Sequence, residues 1–486
     1  MPVIGQRTHL VLLAAWTLLW FAVVEPHGGF SWHYLRTGGE LIYGGAGGGL
    51  NLYAHHPELQ MGPVSFLVAG LFNPFPERTG QLLAAALMSF LGLVILVLVG
   101  RSAAAHLLGT GTNHQRLRQR VLVAGLAFIP MWIEVSVRFG HLDDVLALFF
   151  TTLAVHALTR GRAGRLGASR GKGAGAVEGG GVRTWASEGD AAGAEGLGGS
   201  RGDAAGVFRR GVGRAGASGG NAGGVFRRGA GRAGASGGDA VGAFKRDAVR
   251  AGAFKRDAVK ASAFRGSAVM TGAFLALALD SKPTALAFLP LLLALPRRDW
   301  LRAFLVCVAL VAVAWLPFFI GAPHSYAAAQ FTIPVQPASP LRWLGVGAPD
   351  TPPWGRPAQA VLGLALGCFA VSRGRWPAVV LLGANARIAL DPSVYTYYTA
   401  SVLLGTLLWD TIGQRRLIPW WTWIGLLTLY APVLTIPDDS TRGLLRLGFV
   451  VVSTVYVLFR PLRRRTQRGR GRGKREPAAS ASAGKP

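Results

Sequence analysis

Leu82–Gly100, LLAAALMSFLGLVILVLVG, carries no charged side chain from end to end. An α-helix rises about 1.5 Å per residue, so about 20 such residues cross a hydrocarbon core about 30 Å thick. Outward along the chain, comparable blocks stand at Leu10–Val24, Leu301–Ile320 and Leu417–Leu434. A water-soluble domain has no use for so many. The whole chain agrees: 486 residues are 51% hydrophobic and only 15% charged, with mean hydropathy +0.36, too few charges for a soluble protein of this size. The expected fold class is all-α, a polytopic transmembrane helix bundle.

The pattern predicts about twelve spans, near 9–24, 81–100, 120–137, 143–159, 267–280, 283–296, 301–320, 358–372, 376–388, 396–410, 417–435 and 442–460. With both termini cytoplasmic, the dense Lys/Arg clusters (Arg116/Arg118/Arg120, Arg297-Arg298, Arg373/Arg375, Arg415-Arg416 and the tail) all fall on one side, as the positive-inside rule requires. The expected location is the cell membrane, multi-pass. Two readings make the parity work. Met61–Asn73 is apolar but short, so it is read as re-entrant or interfacial, starting at Gly62-Pro63. Ser267–Pro296 is too long for one span and is basic at both ends, so it is read as two short helices broken at Pro283, which cannot continue an α-helix without losing a hydrogen bond.

Four segments follow: an N-terminal membrane part (1–159), a Gly/Ala/Arg-rich insert (160–266), a C-terminal membrane part (267–460) and a basic tail (461–486). The insert repeats itself. Val207-Phe-Arg-Arg recurs at 225, and a ten-residue unit carries Phe244, Phe254, Phe264 and Phe274. It has no hydrophobic face with which to bury a core, which predicts a disordered cytoplasmic spacer. The net charge of +28 is concentrated in the insert, the tail and the short loops, so membrane lipid, not nucleic acid, is the expected partner. Cys307 and Cys368 lie in apolar runs and suggest neither a disulfide framework nor a metal site.

The chemistry-bearing residues gather at the predicted outer boundary in four groups: Glu25–Glu40, Gly140–Asp144, Asp280–Pro283 and Arg387–Tyr398. Ionisable groups at such depth are costly and therefore paired or functional. Bland readings stand beside this. Asp143-Asp144 also suits a helix N-terminus, Asp280 and Lys282 could neutralise each other, Glu134 and Arg138 have the spacing of a helical ion pair, and the Tyr395/Tyr397/Tyr398 group has the composition of an interfacial belt. His27, His33, His55 and His56 lack metal-ligand spacing, and no nucleotide-binding motif is present. A lipid-linked sugar phosphate would suit this face. Transfer of its sugar needs a carboxylate base beside the acceptor hydroxyl and cations at the phosphate leaving group. Glu25, Asp143 and Asp144 are the candidate catalytic acids, and Lys282, Arg342 and Arg387 the candidate phosphate partners. His33, Tyr34, His141, Asp391 and Tyr397 are the candidates for contacting substrate.

The order of these features resembles the polytopic GT-C glycosyltransferases, especially bacterial polyprenol-phosphate-mannose-dependent mannosyltransferases. The resemblance runs through Trp32-His-Tyr34 and Leu52-Tyr53…Gln60-Met-Gly62-Pro63. It continues through Gly140-His-Leu-Asp143-Asp144, Gly272…Asp280-Ser-Lys282-Pro283 and Asp391-Pro392…Tyr397-Tyr398. It implies a polyprenyl-phosphate sugar donor, a cell-envelope glycan or glycolipid acceptor, and inversion by direct displacement. No further cofactor is implied, and a metal requirement stays open. One departure is plain: such enzymes usually keep an acid a few positions before the first-loop Tyr, whereas here Phe30, Ser31, Trp32 and His33 precede Tyr34 and Glu25 lies further upstream. Either Glu25 or Asp143/Asp144 fills that role, or the chain is a divergent member. A transporter or flippase, or a non-catalytic envelope protein, is the alternative expectation.

Overall fold

The computed structural model describes residues 6–24, 29–44, 47–107, 113–174, 266–326, 333–347, 351–393, 395–414 and 416–460, with the backbone alone for 164–174. Most of it belongs to one compact unit, Met1–Ala168 with Lys260–Pro486; of the other, Ser169–Val259, only the helical end Ser169–Ala174 is described. Among the described residues there is no strand. Helices run in chain order as α1 (Gln6–Val24), α2 (Trp32–Leu41), α3 (Leu52–His55), α4 (Pro63–Gly70), α5 (Glu77–Leu107), α6 (His114–Ile133), α7 (Leu142–Ala174) and α8 (Gly266–Ser281). They continue as α9 (Arg297–Gly321), α10 (Pro340–Trp343), α11 (Gly355–Ser372), α12 (Val379–Leu390), α13 (Thr399–Leu408), α14 (Trp420–Gly425), α15 (Ala431–Thr435) and α16 (Asp439–Phe459).

Among the described residues, six helical stretches are long and apolar enough to cross a membrane: Arg7–Val24, Glu77–Leu107, His114–Arg138, Leu142–Ala163, Arg297–Gly321 and Asp439–Phe459. Gly266–Ser281, Pro283–Ala294 and Trp376–Leu390 are shorter apolar helices. The bundle is layered by burial. In α12 every residue from Val379 to Ala389 is buried, and so is all of α13, the pattern of helices apolar all round and enclosed by others. α12 packs against α11, α13, α16 and the 3₁₀ segment Pro283–Ala294. At the periphery, only 17% of the apolar stretches of α1 and α9 is buried. Leucines and valines turned outward there suit a hydrocarbon surround.

Several local expectations find their physical counterpart. Met61–Asn73 forms only the eight-residue α4 with turns after it, too short to cross a bilayer. Between α8 and Pro283, Lys282 takes an extended backbone (φ −145°, ψ 113°), so the long apolar stretch is broken where proline stops the helix. Glu134 and Arg138 do pair, at 3.5 Å, within a π-helical turn that continues α6. The predicted insert begins at 160, but α7 continues unbroken to Ala174, because its alanines, arginines and leucine favour helix and the interspersed glycines weaken it without stopping it. Residues 175–265, which hold the repeats, and the 461–486 tail lie outside the described residues.

Candidate functional site

The start of α7 is the centre of the site. Asp143 and Asp144 occupy its first turn, where the exposed backbone N–H groups favour negative charge. Gly140, at φ +63°, lets the chain swing from the π turn into α7, a conformation that glycine adopts without steric cost. Gly29 packs directly on it: a Cβ on Gly29 would lie 2.8 Å from the Gly140 Cα. That close approach lets the Ser31 N–H donate to the Phe139 carbonyl at 3.0 Å and sets the Ser31 hydroxyl 2.8 Å from His141 Nε2. His141 Nδ1 faces Asp143 Oδ1 at 3.3 Å. The imidazole stacks on Tyr397, with centroids 3.6 Å apart and 29° between the planes.

The break after α8 supplies the first cation. Lys282 Nζ donates to Asp143 Oδ2 at 2.5 Å and to Asp144 Oδ2 at 2.8 Å. The break is clamped by the first loop: the Gly62 N–H and the Ser65 hydroxyl both donate to the Ser281 carbonyl, at 2.9 and 3.0 Å. α12 supplies the second cation. Arg387 Nη1 donates to Asp144 Oδ1 at 3.2 Å, its Nε lies 3.8 Å from Asp391 Oδ2, and its guanidinium sits 3.8 Å from the Tyr398 ring centroid. Asp391 Oδ1 accepts from the Ser393 N–H at 3.0 Å, and its carbonyl accepts from Ser339 Oγ at 2.5 Å. His141, Asp143, Asp144, Arg387 and Asp391 are all buried. Charges in so dry a place are tolerable only as a mutually satisfied set.

Lys282, Thr284, Phe288, Arg387, Ser401 and Asp144 help line a cavity of about 20 Å³, about the space of one water molecule. A sugar phosphate would need the surrounding helices to part. His141, Asp143 and Asp144 offer ligand atoms within 4.8 Å of one another, as a metal ion would need. The Lys282 ammonium, however, already bridges the two carboxylates, and a divalent ion would have to displace it.

Seven of the sequence candidates therefore meet in one cluster: His141, Asp143, Asp144, Lys282, Arg387, Asp391 and Tyr397. Others stand elsewhere. His33 and Tyr34 are exposed on α2 and lie against each other at 3.8 Å; of that loop it is Ser31 that reaches the cluster. Arg342 is exposed on α10, the short helix capped by Ser339, and takes no part in the ion pairs above. Glu25 lies outside the described residues. Asp280 does not neutralise Lys282. It is buried, with Oδ1 unpartnered among the described residues, while the ammonium goes to α7. Nor are Tyr397 and Tyr398 a surface belt; both are buried against the charges, and of the three only Tyr395 is exposed. Ser31 and Tyr398 are not among the site candidates read from the sequence, although Tyr398 belongs to the tyrosine group named there. Tyr398 adjoins a flagged tyrosine, whereas nothing in the sequence distinguishes Ser31 from any other loop serine.

No protein-family model, curated protein or solved structure matches the chain. The class that fold and site define is a helical protein with membrane-length apolar helices and a buried, charge-paired cluster drawn from distant parts of the sequence.

Proposed function

We propose that this chain is a membrane glycosyltransferase of the GT-C kind, moving a sugar, with mannose the first choice, from a polyprenyl-phosphate donor to a cell-envelope glycan or glycolipid. In this reading the chain has about twelve spans, both termini are cytoplasmic, and the cluster faces the opposite side of the membrane. The observation that carries it is the pairing of Lys282 and Arg387 with Asp143 and Asp144 beside a cavity. The two cations are suited to receive the phosphate as negative charge grows on the leaving oxygen, and Arg387 presents a fork of donors that matches phosphate oxygens. The carboxylates hold these cations in position in the absence of donor. The sugar would sit where the helices part, with the acceptor hydroxyl approaching from the first loop.

Vesicles containing the purified chain, supplied with labelled farnesyl-phosphate mannose and octyl α-mannoside, test this. Label moving onto the octyl mannoside, and lost in Asp144→Asn, is the expected result; no movement of label with the wild-type chain contradicts it. A second reading, a carrier of a lipid-linked or polar solute, draws on the broken helix at Lys282, because helix breaks often form transport sites. Net passage of the mannosyl lipid across the vesicle membrane without any transfer would favour it.

A further inference from the structure

We infer that the imidazole of His141, not a carboxylate, takes the proton from the acceptor hydroxyl, and that Ser31 holds the acceptor's place until it arrives; this rests on the glycosyl-transfer reading.

The described carboxylates of the cluster, Asp143, Asp144 and Asp391, are already committed. Asp143 gives one oxygen to Lys282 and the other to His141. Asp144 gives one to Arg387 and the other to Lys282. Asp391 gives one to the Ser393 N–H and turns the other toward Arg387. Protonating any of them would break a buried ion pair or hydrogen bond. His141 Nε2 differs. Its partner is a neutral hydroxyl, that of the half-buried Ser31, and among the described residues no backbone group or charge holds it. With Asp143 at Nδ1 the imidazole keeps its proton on that side, so the Nε2 lone pair points at whatever hydroxyl occupies the Ser31 position. Tyr397 fixes the plane of the ring. A base, an orienting carboxylate and a hydroxyl within hydrogen-bond reach is the arrangement that general-base catalysis needs.

Charge bookkeeping points the same way. Asp143, Asp144 and Asp391 face Lys282 and Arg387, with Arg356, bound to Gln60, near enough to Asp391 to influence it. The set is neutral before substrate. A phosphodiester donor adds one negative charge and its departing phosphate adds a second. A proton arriving on His141 offsets that growth where it occurs.

In the step, a lone pair of the acceptor oxygen forms the bond to the anomeric carbon, and the O–H proton passes to His141 Nε2. The anomeric carbon–oxygen bond breaks, and its electron pair leaves with the polyprenyl phosphate, received by Lys282 and Arg387. The product anomer is inverted, and His141 returns its proton to water past Ser31. With the base at the head of α7, the chain does not need an acid just ahead of Tyr34, where the resembled family has one.

The test uses the full-length chain in vesicles with farnesyl-phosphate mannose and octyl α-mannoside. His141→Ala is expected to lower kcat by about 10²–10⁴-fold with little change in donor KM, and free imidazole should restore part of the rate. His141→Gln should lose transfer equally while melting with the wild type. The product should be the inverted anomer. Wild-type kcat in His141→Ala, or a lost rate that imidazole leaves unrestored, overturns the inference and leaves the glycosyl-transfer reading intact. A retained anomer together with loss of transfer in Ser31→Ala would make the serine the attacking group and overturn it as well. A wild-type chain that moves no label sinks the broader reading itself.

Discussion

Buried cations stand toward both ends of the bundle, and they are satisfied in different ways. Near the start of α6, Arg120 Nη1 donates to the carbonyls of Thr411 and Gln414, at 3.4 and 2.8 Å, where the π turn Trp409–Gly413 ends a helix. Arg375 binds the carbonyls of Val457 and Arg460, and Arg460 reaches the Gln414 side chain at 3.0 Å. Past the far end of α6, about 20 Å on from Arg120 at 1.5 Å rise per residue, Lys282 and Arg387 bind carboxylates instead. Backbone carbonyls cannot be exchanged, so an arginine on a helix C-terminus is a fastener. A cation held by carboxylates can be shared with an incoming anion. The same residue types therefore do different work according to what they touch.

The largest effect that sharpens this contrast is expected at Lys282. Replacing it by Met strands Asp143 and Asp144 against each other in a buried site and should cost about 3–5 kcal/mol, read as a lowered Tm in detergent; Lys282→Arg should recover most of it. Next comes the clamp from the first loop. A Cβ at Gly62 would lie 2.0 Å from the Asp280 carbonyl oxygen, so Gly62→Ala must push α4 off the break. A cost of about 1–3 kcal/mol and faster hydrogen exchange over Pro63–Gly70 are expected; unchanged exchange would mean that the loop does not hold the break. At the other end, Arg120→Met leaves two carbonyls unpaired and should cost about 1–3 kcal/mol without altering sugar transfer. An Arg120 variant that folds normally but loses transfer would erase the distinction between the two ends. The smallest effect is expected from Arg138→Ala. The Arg138 side chain is 51% exposed while Glu134 is buried and keeps the Tyr430 hydroxyl at 2.7 Å, so the half-exposed pair should contribute about 1 kcal/mol.

How much of this was legible beforehand depends on the range of the interaction. The apolar stretches read as spans fall largely on helix, and among the described residues six of them are long and apolar enough to cross a membrane, because hydrophobic runs and proline breaks are local signals. The break at Lys282-Pro283 and the shortness of Met61–Asn73 were legible for the same reason. What the sequence could not supply is rotation about each helix axis and pairing across it. Asp280 and Lys282 are two residues apart and face different neighbours, while Lys282 meets residues 139 and 138 positions away. His33 and Tyr34 have the more chemical side chains, yet the turn of α2 exposes them and gives Ser31 to the site. The end of α7 at Ala174 is hard to read from a glycine-rich composition that masks the helix-forming residues between the glycines.

The most direct measurement is thermal unfolding of the purified chain with and without farnesyl phosphate, the leaving group without its sugar. A ligand that binds only the folded state raises Tm in proportion to occupancy. The wild-type chain and Arg120→Met should both be stabilised, and Arg387→Gln should not. A shift of the same size in Arg387→Gln, or none in the wild type, would contradict the account of this cluster as a phosphate-receiving site.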